Sequence, residues 1–413
     1  MTARAWVALA ATVAACAVPA GPSSRVTKIP AAVASVAPTA SAAPIAPAVR
    51  FPLVVSAGGP VLASPRVVGV AFANETPENV ARLGRFVTTL GESAYWRTVA
   101  SEYGVGAFTG RWVRSPEEAP AAVTDAAIQS WLRGHASALG LRSGDLALVF
   151  YPASTVVTSD AGEGCVRYLG YHASLPLAAG DAAYAVVPRC NPWSDQTDPL
   201  EATTVAAAHE LVEATVNPYA ETQPAYGYVD EAHFGWALAS FGGAPTDLCQ
   251  MAASDARIVP SDLPFFVARV WSNEAARRGN DPCVPVPPDE RYVVAVPDLP
   301  EEYDVTLGLT HAHARAVRVP AGERRTIDVA VVGANDPAQA SAEPWTLSAD
   351  DGTSRTHSPP IFALSLDRTE AKVGDHVHLT IESLYLGGSA MHPFVIYTRR
   401  DKTRNVWAGL VVQ

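Results

Sequence analysis

Charge is sparse in this chain. Only 17% of its 413 residues are Asp, Glu, Lys or Arg, and acids outnumber bases 41 to 30, for a net charge of -11. No Lys/Arg-rich stripe occurs, which excludes nucleic-acid binding by phosphate neutralisation. The acidic balance favours solubility but names no partner. Beyond the N-terminus no second apolar span is present that could cross a bilayer. No G-x-S-x-G elbow occurs, which removes a common signature of serine hydrolases. Cysteine is limited to five residues, none in C-x-x-C spacing, so a cysteine-built metal site is not expected.

What is present begins with processing signals. Arg4 precedes an apolar run, Ala5 to Ala15, of signal-peptide length. It ends in Val13-Ala14-Ala15-Cys16, which resembles the lipobox of bacterial lipoproteins. Residues 1–16 are therefore expected to be a lipoprotein signal peptide, with Cys16 lipidated and anchored to a membrane; cleavage near Ala20 as an ordinary secretory signal is the alternative. Ala17 rather than aspartate after the cysteine implies, by the same resemblance, an outer-membrane or cell-surface location. Residues 17–50, rich in Ala, Pro, Ser and Val and without aromatics, read as a disordered tether. The remaining four cysteines form an even set in an exported chain. Cys165–Cys190 and Cys249–Cys283 is the expected pairing, since both close local loops.

The length predicts two folded domains. The first, residues 51–285, mixes strands and helices. Arg66–Phe72, Asp145–Tyr151, Val166–Tyr171 and Tyr184–Pro188 read as strands; Pro77–Leu90, Ser93–Tyr103 and Thr124–Leu139 read as helices. A proline-rich stretch from Asp281 to Pro288 marks the boundary. Residues 290–413 then show short alternating runs separated by turns, expected as an all-β immunoglobulin-like sandwich that binds substrate or cell-wall polymer.

The most informative segment is Ala206–Pro218, entered at Asp198-Pro199 and stopped at Asn217-Pro218. On a helix, His209 and Glu213 share one face at i and i+4. They can grip one metal ion, with Glu210 beside it to take a proton from a bound water. This is the logic of the H-E-x-x-H helix with a carboxylate in place of the second histidine. Ala206 to Val216 carries no other charge, so these carboxylates do not decorate a solvated face, and a cation would compensate them. Asp247 is the first choice for a third ligand, His172 the second, and the Asp230, Glu231 and His233 cluster the third.

These residues resemble secreted proteins carrying H-E-L-x-E-A-x-T-[DN]-P, which include the Exordium (phosphate-induced) family. The resemblance runs from about Val68 to Cys283. It includes Ser93-Ala94-Tyr95-Trp96, Tyr103-Gly104-Val105-Gly106, Gly170-Tyr171-His172, Ala185–Pro188 before Cys190, the motif helix, Asp247-Leu248-Cys249 and Trp271-Ser272-Asn273. Val216 stands where the family usually has Thr, and Ala244 where many members have an acid. The resemblance implies a zincin-like α+β domain; it does not cover the C-terminal region.

The expectation is thus an α+β zincin-like domain followed by an all-β immunoglobulin-like sandwich, acting as a cell-surface zinc hydrolase. The reaction expected is that of a metallopeptidase on a peptide or cell-surface polymer. His209 and Glu213 are the expected metal ligands, with Asp247 or His172 completing the set, and Glu210 is the general base. The alternative is a non-catalytic surface binding lipoprotein with a structural or vestigial metal site. A glycosidase built on paired carboxylates stays open at this level, because sequence does not place carboxylates in space.

Overall fold

The computed structural model describes residues 26–28, 49–196, 198–240, 242–288, 290–307, 310–333, 343–351, 360–384 and 391–413. The expected signal peptide and Cys16 lie outside the described residues. So does most of the expected tether, but Val26–Lys28 within it form a strand paired antiparallel with Tyr303–Val305 rather than free chain.

A five-stranded sheet organises the first half. Its order is Thr109–Arg114, Arg66–Ala71, Leu146–Tyr151, Ala182–Pro188 and Tyr171–Leu175. The first four strands run parallel and the last antiparallel. Helices cover both faces, so the inner strands are apolar throughout rather than alternating. Successive residues of Leu146–Tyr151 divide between two cores, Leu148 and Phe150 facing one and Ala147 and Val149 the other. Helix Pro77–Leu90 packs on the first face through Leu83, Phe86 and Val87, and helix Asp125–Leu139 on the second through Ile128 and Leu132. Both helices start as their sequences predict: Thr76 and Thr124 accept the backbone N–H of Asn79 and Ala127.

One expected strand is displaced. Val166–Tyr171 is not a strand; the edge strand is Tyr171–Leu175. Cys165 sits at positive φ, and Val166 and Arg167 both donate to the Glu163 carbonyl, so the chain turns there and Val166 points to solvent. Both expected disulfides are present.

The motif helix spans Glu201–Val216, and every residue in it except His209 is buried. Buried on nearly all sides, it lies in the core against strand Ala182–Pro188 on the first face of the sheet. Asn217 ends it, its N–H donating to the Glu213 carbonyl while its side chain accepts from Ala225.

The second half is built from a seven-stranded sheet and a four-stranded sheet. Val329, Val331, Leu379 and Ile381 of the smaller sheet meet Trp345, Leu347, Phe394 and Ile396 of the larger in one apolar core. The two halves share a further core. Phe51 packs on Tyr292 and Trp407, and Trp236 of the short helix Phe234–Ala239 packs on Trp407. Gly235 makes this approach possible, because a Cβ there would stand 2.6 Å from the Gly409 carbonyl oxygen. Among the described residues, no helix is long and apolar enough to cross a membrane.

Candidate metal centre

The motif helix delivers three charged side chains to one place. His209 and Glu213, one turn apart, bring Nε2 and Oε1 to 3.3 Å. Glu210 turns toward the edge strand, where His172 stands opposite Ala185 and therefore on the face that the motif helix covers. His172 Nδ1 lies 2.9 Å from Glu210 Oε2 and 3.9 Å from Glu213 Oε2. Gly170 permits this contact: a Cβ there would stand 2.8 Å from Glu210 Cγ.

Asp247 arrives from the first turn of helix Pro245–Ala252. Its Oδ1 is 3.3 Å from His209 Nε2, and its backbone N–H donates to Glu213 Oε1 at 3.2 Å. That short helix is fixed at several points. Pro245 starts it, Cys249 ties it to Cys283, and Arg404 of the C-terminal hairpin donates to the Met251 and Ala253 carbonyls at its end.

All five residues expected at the site thus converge. They form two overlapping groups, His209–Glu213–Asp247 and His172–Glu210–Glu213, with the donor atoms of each group within 4.8 Å of one another. Zinc bound tetrahedrally at about 2.0–2.1 Å holds neighbouring donors about 3.3–3.4 Å apart. The His209–Glu213 and His209–Asp247 separations, both 3.3 Å, match that edge. One imidazole and two carboxylates are suitable zinc donors. The His172–Glu210 contact is a closer, hydrogen-bonded pair at 2.9 Å. Side-chain exposure also differs: Asp247 at 32% and His209 at 15% open to solvent, against 6–8% for His172, Glu210 and Glu213. The first group therefore has an accessible side.

The electrostatics reflect carboxylates crowded into the interior. Burial works against charge on His209, but the charge of Glu213 and the contacts with Asp247 outweigh it and hold the imidazole well above its ordinary range. His172 is also raised, burial being overcome by the Glu210 hydrogen bond and the charges of Glu210 and Glu213. Asp247 is pushed up by burial and then by Glu213, with His209 opposing. The neighbouring carboxylates thus favour the protonated form of both imidazoles.

The third alternative, Asp230, Glu231 and His233, is not at this site. Asp230 accepts from Leu53 N–H and from His233, His233 also contacts the Arg50 carbonyl, and Glu231 accepts from His313 N–H. These residues tie the N-terminal segment and the sandwich together. The motif Ser93–Trp96 and Tyr103 is likewise structural: Tyr95 and Tyr103 hydroxyls donate to the Ala268 and Trp271 carbonyls. Gly170 and Arg404 are contributors whose roles depend on contacts far apart in sequence.

No family model matches the chain, and no curated protein matches it. Among solved structures, the titin M10–obscurin-like 1 Ig complex is 16% identical over 23% of this chain and 82% of that one, at a TM-score of 0.15. Domains 4 and 5 of the S-layer protein SbsC are 11% identical over 30% of this chain and 67% of theirs, at 0.16. At such scores these likenesses define neither fold family nor function.

Proposed function

We propose that this chain is an exported, cell-surface zinc-dependent hydrolase, acting as a metallopeptidase. The observation that carries the reading is the His209–Glu213–Asp247 group, with donor separations of 3.3 Å at His209 and an accessible side. Zinc held there would supply Lewis acidity and a bound water of lowered pKa. Glu210 follows His209 directly on the helix and holds its carboxylate against His172. In this reading Glu210 accepts the proton of the attacking water, and His172 keeps that carboxylate oriented. The zincin-like character of the first half rests on the H-E-x-x-E helix and on the resemblance to the Exordium group. Paired cysteines and the Cys16 lipobox support export and lipid anchoring. The immunoglobulin-like sandwich would hold substrate or wall polymer.

A second reading has one observation behind it: the Glu210 carboxylate is already engaged by His172. On that reading the group is a structural or vestigial metal site of a surface binding lipoprotein. Glu210→Gln separates the two. The hydrolase retains zinc and loses peptide turnover by about 10²–10⁴-fold, the usual contribution of a general base. A wild-type, zinc-loaded protein without turnover on any peptide in a mixed peptide library contradicts the hydrolase reading.

A further inference from the structure

We infer that the cluster contains a second, weaker divalent-cation site, formed by His172, Glu210 and the second oxygen of Glu213, and that filling it suppresses the hydrolysis proposed above. The inference rests on that reading for its first site. Glu213 faces two ways. Its Oε1 is 3.3 Å from His209 Nε2 on one side, and its Oε2 is 3.9 Å from His172 Nδ1 on the other. His172 Nδ1 stands 2.9 Å from Glu210 Oε2 and 3.9 Å from Glu213 Oε2, so modest side-chain shifts bring all three donors to a single cation. A carboxylate facing two donor groups in this way is suited to bridge ions about 3.5–4 Å apart.

Charge accommodates the second ion. With neutral imidazoles, Glu210, Glu213 and Asp247 leave a net charge of about -1 around one dication and about +1 around two, so the second ion creates no greater imbalance than the first. Two features make the second site the weaker. The 2.9 Å hydrogen bond between His172 and Glu210 must open, and the incoming ion meets the charge of the first. The functional consequence follows from the donor set. A cation on Glu210 occupies the lone pair that would accept the proton of water, so an excess of the activating metal is inhibitory.

The test uses the metal-free full-length chain, dialysed against buffered zinc and analysed for bound metal, with a parallel Mn²⁺ titration followed by electron paramagnetic resonance. Two uptake steps are expected. The second doubles the stoichiometry, coincides with loss of turnover, and in the manganese series weakens the signal through coupling of neighbouring ions. His172→Ala and His172→Gln remove the second step and retain the first, and the conservative glutamine variant guards against misfolding of the alanine variant. A single step in wild type overturns the inference and leaves the hydrolase reading standing; no uptake at all overturns both. A second step with an uncoupled manganese signal places that ion elsewhere, for example at the exposed pairs His311/His313 or His376/His378, and also overturns it.

Discussion

Histidine meets carboxylate in two settings in this molecule. On the sandwich, His376 contacts Asp328 at 2.6 Å and His378 contacts Asp367 at 2.8 Å, with the histidine side chains 62% and 57% exposed. In the first half, His172 and His209 meet Glu210, Glu213 and Asp247 at 2.9–3.3 Å while only 7% and 15% exposed. The chemical pairs are alike and the separations similar. Water solvates the surface pairs, so each is worth little and calls for no further partner. Around the motif helix the side chains are largely shielded from solvent, Asp247 excepted, and three carboxylates beside two imidazoles favour protons or a cation. Burial, more than residue type, makes the second setting the candidate site.

The largest effect that would break this contrast comes from Glu213, which belongs to both donor groups. Glu213→Ala is expected to lower zinc affinity by more than about 100-fold, beyond the range for outer-shell changes, as read by calorimetric titration of the full chain. An unchanged affinity would place zinc elsewhere. Next is the proton balance. His209 is held well above its ordinary range, burial opposing and Glu213 and Asp247 prevailing. A raised imidazole stabilises the metal-free fold fully below about pH 6.5, and that stabilisation is lost as pH rises through the folded value. A zinc-bound imidazole is deprotonated at the ligating nitrogen, so zinc uptake must release protons and weaken as pH falls. Calorimetry in buffers of differing ionisation enthalpy measures this; uptake without proton release would contradict it.

Smaller still is Gly170→Ala. The added Cβ meets Glu210 at 2.8 Å, and overpacking of this kind costs about 1–3 kcal/mol. A lowered melting temperature with zinc retained but turnover reduced is expected; a neutral substitution would show that Glu210 moves freely. At the bottom is His378→Ala, which should leave melting temperature and bound zinc unchanged. A loss of zinc there would erase the distinction between the two settings.

Much of this was legible in sequence for local reasons. Thr76 and Thr124 announced helix starts through their caps. The i, i+4 spacing placed His209 and Glu213 on one face, and the absence of other charge marked the helix as interior. Less legible was anything set by long-range contact. The strand carrying His172 starts five residues later than its apolar pattern predicts, because the backbone turns at Cys165. Strand Thr109–Arg114 was missed, since its mixture of Arg, Gly and Trp hides an edge position beside Arg66–Ala71. Buried Arg269, paired with Asp281 and Glu290, gave no sequence signal at all. Asp230 and His233 show the reverse error: the residue types suited a ligand set, but the fold uses them to fasten Arg50 and Leu53.

The most direct measurement is the zinc content of the purified full-length chain after loading and exhaustive removal of free metal. At least one tightly held zinc per molecule is expected, absent from Glu213→Ala and unchanged in His378→Ala. A wild-type chain that emerges without zinc, or a Glu213→Ala chain that holds as much, would contradict the assignment of a cation to the motif helix.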